Sequence, residues 1–231
     1  ISTGGAGVET IHITGNGNLR GVPANGDLIT IVDATGTTKN IDASELDGGI
    51  SVSVLGNSTV SGGLGDDHIL AAGGGQNNFQ GNAGNDLFQF NGNLMNTDVI
   101  VGGEGVDSLG SFWANLVGYA VPVVHTITGI EHLIATSPAN GGILDTTKFG
   151  VLDNTIMNVS LAGGSTAAST INFAPGAAIV DIGLPDLFPV PGAPALGGGL
   201  AITNNGLATT DSLTINNNSE LPNGLGFDGF N

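Results

Sequence analysis

Gly62-Gly63-Leu64-Gly65-Asp66-Asp67-His68-Ile69-Leu70 is a nine-residue unit with glycine at positions one, two and four, aspartate at six and a large apolar residue at eight. Gly102-Gly103-Glu104-Gly105-Val106-Asp107-Ser108-Leu109-Gly110 repeats every one of those positions. Gly81-Asn82-Ala83-Gly84-Asn85-Asp86-Leu87-Phe88-Gln89 departs only by Asn82 at the second glycine. Ala72 to Gln80 is a weaker copy with Asn77 at the acid position, and Asn93 to Val101 keeps Asp98 and Ile100. Ser53 to Ser61 keeps Gly56 and Val60 and has Ser58 where the acid belongs. About six units therefore run from Ser53 to Gly110, broken by a one-residue slip after Leu70 and a short insertion after Phe90.

The chemistry of the unit follows from its residue types. Glycine tolerates positive φ, so the backbone turns tightly and aims carbonyl oxygens at a common point. The aspartate adds an anionic oxygen to that point, and residues seven to nine form a short strand whose eighth side chain points into the stack. Carboxylate and carbonyl donors with no nitrogen or sulfur suit a hard ion that accepts irregular geometry, Ca²⁺ rather than Mg²⁺ or Zn²⁺. Three good copies in one array favour this over mere strand-linking turns.

Composition agrees. The chain has 231 residues, of which 41 are Gly, 3 are Lys or Arg and 20 are Asp or Glu, for a formal net charge of -17. So few cations exclude a duplex nucleic-acid binder and disfavour an anionic membrane surface. Abundant glycine with little Glu, Lys or Arg argues against an all-α chain. The plentiful aliphatics in alternating runs argue against disorder. There is no cysteine, hence no disulfide and no thiol chemistry. No apolar run is long enough for a spanning helix, so no membrane insertion is expected. The sequence opens on Ile1 without a start methionine and reads as a fragment or a processed product.

Outside the array, Gly7-Val8-Glu9-Thr10-Ile11 is echoed by Gly129-Ile130-Glu131-His132-Leu133, and each is followed by an Asp-led segment, Ile41 to Leu46 and Leu144 to Phe149. Alternation of period two predicts strands at Val8–Ile13, Leu28–Val32, Ile50–Leu55, Val121–Ile127, Glu131–Ala135, Thr155–Leu161, Thr170–Phe173, Leu200–Thr203 and Ser212–Asn216. Short helical turns are expected only within Asp107–Val117 and Thr146–Leu152. The proline-rich Leu184–Pro194 cannot be a central strand. The expected organisation is a β-rich segment 1–52, a calcium array 53–110, a β-rich segment 111–183, a connector 184–194 and a C-terminal β segment 195–231.

The array resembles the calcium-binding repeats-in-toxin (RTX) family over Ser53 to Gly110. That resemblance implies an all-β fold with a short parallel β-roll, two nonapeptides to a coil, and Ca²⁺ between turns two repeats apart. Carried onto this chain, the turn at Gly62–Asp67 would face Gly81–Asp86, and the turn at Ala72–Asn77 would face the region of Asp98. Asp67 and Asp86 are then the foremost side-chain ligands, with Asp107 sharing an ion with Asp86, and Asn77 and Asp98 in the opposite row. Gly63, Gly65, Asn82, Gly84, Gly103 and Gly105 would supply carbonyls. Two or three ions are expected.

The longer pattern, with Gly-Val-Glu-Thr-Ile and Gly-Ile-Glu-His-Leu flanking the glycine block, resembles large secreted bacterial surface-layer proteins. It implies an extracellular, calcium-dependent structural protein that assembles with copies of itself, with Leu184–Pro194 and Asn216–Asn231 at the contacts. The alternative is an adhesin, one that could take cell-surface polysaccharide, or a spacer domain of a larger secreted chain.

Catalytic readings find little support. No His-Glu-x-x-His helix, Gly-x-Ser-x-Gly elbow or phosphate loop with its lysine is present. His12, His68, His125 and His132 are scattered, and solvent-facing histidines are expected at 125 and 132. Asn96-Thr97-Asp98 and Gly65-Asp66-Asp67 echo the paired carboxylates of pectin hydrolases in reversed order, without the accompanying histidine and basic segments. Trp113, with Phe112 and Tyr119, is expected to close a β-roll end rather than to stack on a ligand. No enzyme activity is expected.

Overall fold

The computed structural model describes residues 10–15, 29–32, 40–120, 126–149, 158–173, 177–182, 195–196, 200–204 and 212–217. Ten strands come first: β1 (Thr10–Gly15), β2 (Ile29–Val32), β3 (Asn40–Leu46), β4 (Ile50–Leu55), β5 (Thr59–Ser61), β6 (His68–Gly73), β7 (Asn78–Ala83), β8 (Leu87–Phe90), β9 (Val99–Glu104) and β10 (Ser108–Ser111). Helix α1 (Trp113–Gly118) follows, then β11 (Ile127–Thr128), β12 (His132–Ala135), β13 (Ala139–Asp145) and a 3-10 turn at Thr146–Lys148. The remainder is β14 (Asn158–Leu161), β15 (Gly164–Phe173), β16 (Ala177–Ile182), β17 (Ala195–Leu196), β18 (Leu200–Asn204) and β19 (Ser212–Asn217).

Consecutive strands alternate between two parallel sheets. One has the order β1-β3-β5-β7-β9-β11, the other β19-β16-β14-β12-β10-β8-β6-β4-β2. A third sheet runs β13-β15-β17, with β18 also on β15. Strands from 1–52, 53–110, 111–183 and 195–231 all join the nine-stranded sheet.

The nonapeptide's eighth position explains why the sheets pair. Val60, Phe79 and Ile100 stack in register on one sheet, continued by Ile41 and Ile127. On the other, Ile69, Phe88 and Leu109 stack in register, continued by Val52, Leu133, Val159 and Val180. All twelve side chains are buried, at roughly 1.5–3 kcal/mol each. The two rows meet in one core, where the Phe79 and Phe90 rings lie 5.6 Å apart.

The interruptions are absorbed locally. After Leu70 the extra residue becomes a bulge, with Val54 opposite Ala71 and Leu55 opposite Gly73. The insertion after Phe90 forms a turn in which the Met95 amide donates to Asp98 Oδ2 at 2.8 Å.

Nine predicted strands have counterparts, although 8–9, 28, 121–125 and 155–157 lie outside the described residues. β3, β13, β16 and β17 fall on none of the predicted strands. β13 carries Gly141 and Gly142 at φ 104° and 88°, a pair that reads as a turn in sequence. The helical turns fall at α1 and Thr146–Lys148, within or one residue beyond the expected windows. Trp113 is fully buried and its indole N–H donates to the Gly141 carbonyl at 2.7 Å, so α1 is pinned to β13 in mid-chain. Tyr119 is buried and stacks on Phe149 at 4.9 Å. No helix among the described residues is long and apolar enough to cross a membrane.

Candidate metal centre

Four successive turns entering the nine-stranded sheet end in Gly-x-acid: Gly65-x-Asp67, Gly84-x-Asp86, Gly105-x-Asp107 and Gly129-x-Glu131. The acids form a one-way ladder. Asp67 Oδ1 accepts the Ile50 amide at 2.7 Å, Asp86 Oδ1 that of Asp67 at 2.7 Å, Asp107 Oδ1 that of Asp86 at 2.8 Å, and Glu131 Oε2 that of Asp107 at 2.8 Å. Each carboxylate thus satisfies a backbone N–H one pass upstream, which would otherwise be left unpaired.

The turns entering the six-stranded sheet carry a shorter counterpart. Asn77 Oδ1 accepts from the Ser58 amide at 3.3 Å, and Asp98 Oδ1 accepts from the Asn77 amide at 2.9 Å and from its Nδ2 at 3.2 Å. The resemblance-based pairings of Gly62–Asp67 with Gly81–Asp86 and of Asn77 with Asp98 are thus brought together in space.

Charge makes the main ladder costly. Asp67, Asp86, Asp98 and Asp107 are all buried. Loss of hydration pushes Asp67 up to about 7, Asp86 to about 8 and Asp107 to about 6, with neighbouring carboxylates adding to the rise, and burial also raises Asp98. The ion pair found among the described residues is His12 with Asp42 at 3.2 Å, far along the sequence from these acids. No three His, Asp or Glu side chains converge among the described residues. The acids stand in file, and any shared ion would draw most of its ligands from backbone carbonyls.

Two of these acids have an oxygen with nothing to bind. Asp86 Oδ2 and Asp107 Oδ2 are buried with no hydrogen-bond partner, whereas Asp67 Oδ2 accepts the Gly63 amide at 2.9 Å. Gly63 is thus a donor to its own turn's acid, not only a carbonyl source as expected.

Of the other expected carbonyl sources, Gly65 packs against the Gly48–Gly49 backbone. Gly84 donates its amide to Glu104 O at 2.9 Å. Gly103 packs on the Asn82 carbonyl and Gly105 on that of Gly84. Asn82 takes the place of a glycine at φ 78°, and its Nδ2 donates to Gly62 O at 2.8 Å and Ser61 Oγ at 3.1 Å.

Close approach, more than freedom of φ, dictates the first glycine of each unit. A Cβ on Gly102 would sit 1.7 Å from Gly129 O and 2.3 Å from Asp107 Oδ2. Gly102→Ala is expected to destabilise the fold by about 3 kcal/mol, lowering Tm by about 6–12 °C in a thermal melt. Gly118→Ala, whose Cβ meets nothing within 4 Å, should stay within about 1 kcal/mol of the parent.

Sequence reasoning missed Glu131 as a rung, though its Gly-x-acid spacing matches the three aspartate turns. It also missed a second ladder at the variable fifth position. Asp66 Oδ1 accepts the Asn85 amide and Asn85 Oδ1 the Val106 amide, both at 2.9 Å.

The expectation that His132 faces solvent is corrected. It is largely buried, its Nε2 lies 2.7 Å from Ser160 Oγ and its Nδ1 3.4 Å from Ser108 Oγ, and burial lowers its pKa. His125 lies outside the described residues. Trp113, being buried, offers no stacking platform.

No family model, curated protein or solved structure matches the chain.

Proposed function

We propose that this chain is an extracellular, calcium-dependent structural protein whose parallel passes form an RTX-like β-roll and which assembles with copies of itself at a bacterial cell surface. The observation that carries the reading is the file of buried aspartates at Gly-x-acid turns, with no basic side chain found to pair them among the described residues. A hard divalent ion fits those atoms. The orphaned carboxyl oxygens of Asp86 and Asp107 lie beside backbone carbonyls, and the surrounding donor set is all oxygen. Such an ion would neutralise the carboxylates and hold adjacent turns together. Asp86 and Asp107 would hold it, with the Asp67 and Asn77–Asp98 rungs fixing the turns on either side.

A non-catalytic role is supported by the nearest thing to a nucleophile and base. Ser160 is fully buried beside His132, and His132 Nδ1 faces a serine where an orienting carboxylate would be needed. Self-association rests on charge. At -17 the metal-free chains repel one another, and bound calcium both lowers that charge and bridges carboxylates. The expected contact segments, 184–194 and 216–231, lie outside the described residues apart from Asn216 and Asn217.

Electron microscopy of the purified chain with and without millimolar calcium tests the assembly. Ordered sheets or filaments in calcium alone are expected. Uniform monomers at high protein concentration in calcium would overturn self-assembly and favour a spacer or adhesin domain of a longer chain.

A further inference from the structure

The insertion after Phe90 and helix α1 both depart from the strand-turn-strand rhythm of the array, and they are joined. Asn115 Nδ2 donates to the Gly92 carbonyl at 3.0 Å. A Cβ on Gly92 would stand 2.8 Å from the Phe112 ring. Between the two segments lies a cavity of about 320 Å³, at the lower end of the roughly 300–1,000 Å³ of small-ligand sites. Leu94 and Asn96 line it from the insertion, and Ala114, Asn115, Gly118 and Tyr119 from the helix and its C-cap.

The lining is uncharged but rich in hydrogen-bonding groups. Asn96 is exposed, and its side chain makes no hydrogen bond among the described residues. Asn115 spends one N–H on Gly92, which fixes its amide plane and leaves Oδ1 and the second N–H available. The last carbonyls of a helix lack intrahelical partners, and α1 ends at Gly118 on the wall of the cavity. Apolar surface comes from Leu94, Ala114 and Tyr119. Two large apolar side chains stand exposed alongside: Met95 at 45%, between Leu94 and Asn96 in the chain, and Phe112 at 41%, against Gly92. No acid, lysine, arginine or histidine lines the cavity among the described residues. An anion would meet a chain of net charge -17 with no cation in the lining. A cation would find no carboxylate in the wall. Amides and carbonyls set among apolar surface suit a ligand with hydroxyls on its rim, C–H groups on its faces and no charge.

We infer that the cavity between the insertion and α1 binds one uncharged sugar ring, with the amides of Asn96 and Asn115 on its hydroxyls and its C–H face against Leu94, Ala114 and Gly118. The site goes beyond the assembly reading and does not depend on the acid ladder, none of whose side chains lines the cavity. It gives a use to the insertion, which the repeat pattern leaves without one. A single ring held by so few polar groups binds weakly, with a dissociation constant on the order of 1 mM. Copies assembled side by side would present many such sites to one polysaccharide, and avidity would raise the strength of attachment without any new contact.

The test is an NMR titration of the full-length chain with glucose, galactose, mannose and N-acetylglucosamine, and with glucuronate as the charged counterpart. At least one neutral sugar should bind and shift the side-chain amide resonances of Asn96 and Asn115, with glucuronate at least about tenfold weaker. Asn96→Ala, at an exposed side chain, should weaken binding by about tenfold. Gly118→Trp starts from a Cβ position with nothing within 4 Å; it should fill the cavity and abolish binding while leaving the melting curve at the parent's. Silence of all four neutral sugars would overturn the inference, and so would glucuronate binding as tightly as they do. Sugar binding that survives Gly118→Trp in a folded chain would place the ligand elsewhere. If that variant does not fold, undiminished affinity in Asn96→Ala has the same force. None of these outcomes bears on self-assembly, which microscopy in calcium tests separately.

Discussion

Millimolar calcium is expected to raise the melting temperature of the metal-free chain by roughly 10–20 °C. An ion that binds only the folded state at about a hundred times its dissociation constant adds about 2.7 kcal/mol. Two such ions add about 5 kcal/mol, and a chain of this length gains about 2–4 °C per kcal/mol. The unfolded chain offers no competing site, because the ligands belong to turns 19 to 24 residues apart that only the folded passes bring together. Calorimetry or circular dichroism melts in EDTA and in calcium measure the difference. Coincident melts would remove the metal from the account of this fold.

The second large effect is an inversion of pH dependence. In the metal-free chain Asp67, Asp86 and Asp107 have folded pKa values of about 7, 8 and 6, above the ordinary 3.8. The folded state therefore binds more protons than the unfolded state between about pH 4 and 8. That stability is fully present in acid and is lost as pH rises through those folded values. Metal-free melts should consequently be higher at pH 5 than at pH 8, the reverse of ordinary acid denaturation, and calcium should abolish the decline on the alkaline side.

Asp86→Asn isolates the cause. Asn77 already occupies the equivalent rung of the opposite row, accepting the Ser58 amide through Oδ1 and donating Nδ2 to Gly75 O. The same amide at 86 would keep the Asp67 bond and offer a donor to Gly102 O. At pH 8 without metal this variant should be more stable than the parent by about 2–3 kcal/mol, and it should gain less from calcium. A destabilised metal-free variant at pH 8 would show that burial of the Asp86 charge is not what strains the chain.

The strand-rich character and the turn acids were legible because both are local. Glycine spacing fixes the turns, and the eighth position fixes which side chain enters the core. Gly-x-acid at 129–131 obeys the same local rule and was passed over because its neighbours break the nonapeptide. Whether an acid is free or saturated was not legible. Asp67 and Asp86 sit in nearly identical units, and what separates them is the Gly63 amide on one and its absence on the other. β13 and β16 were hidden for a different reason: each is held by pairing to strands more than twenty residues away, β13 on β15 and β16 on β14, so tertiary context overrides weak local preference.

The direction of the acid ladder makes the array unequal at its two ends. Every rung lends its oxygen backwards, to an amide that was synthesised earlier. Shortening the array from the N-terminal side strips a carboxylate of its donor and lets it face water, which costs little. Shortening it from the C-terminal side strands a buried amide on the turn that remains, and the loss passes the defect to whichever turn is now last. Glu131, the one rung with a longer side chain and no nonapeptide around it, thus serves as the keystone of a structure that can be trimmed from one end but not from the other.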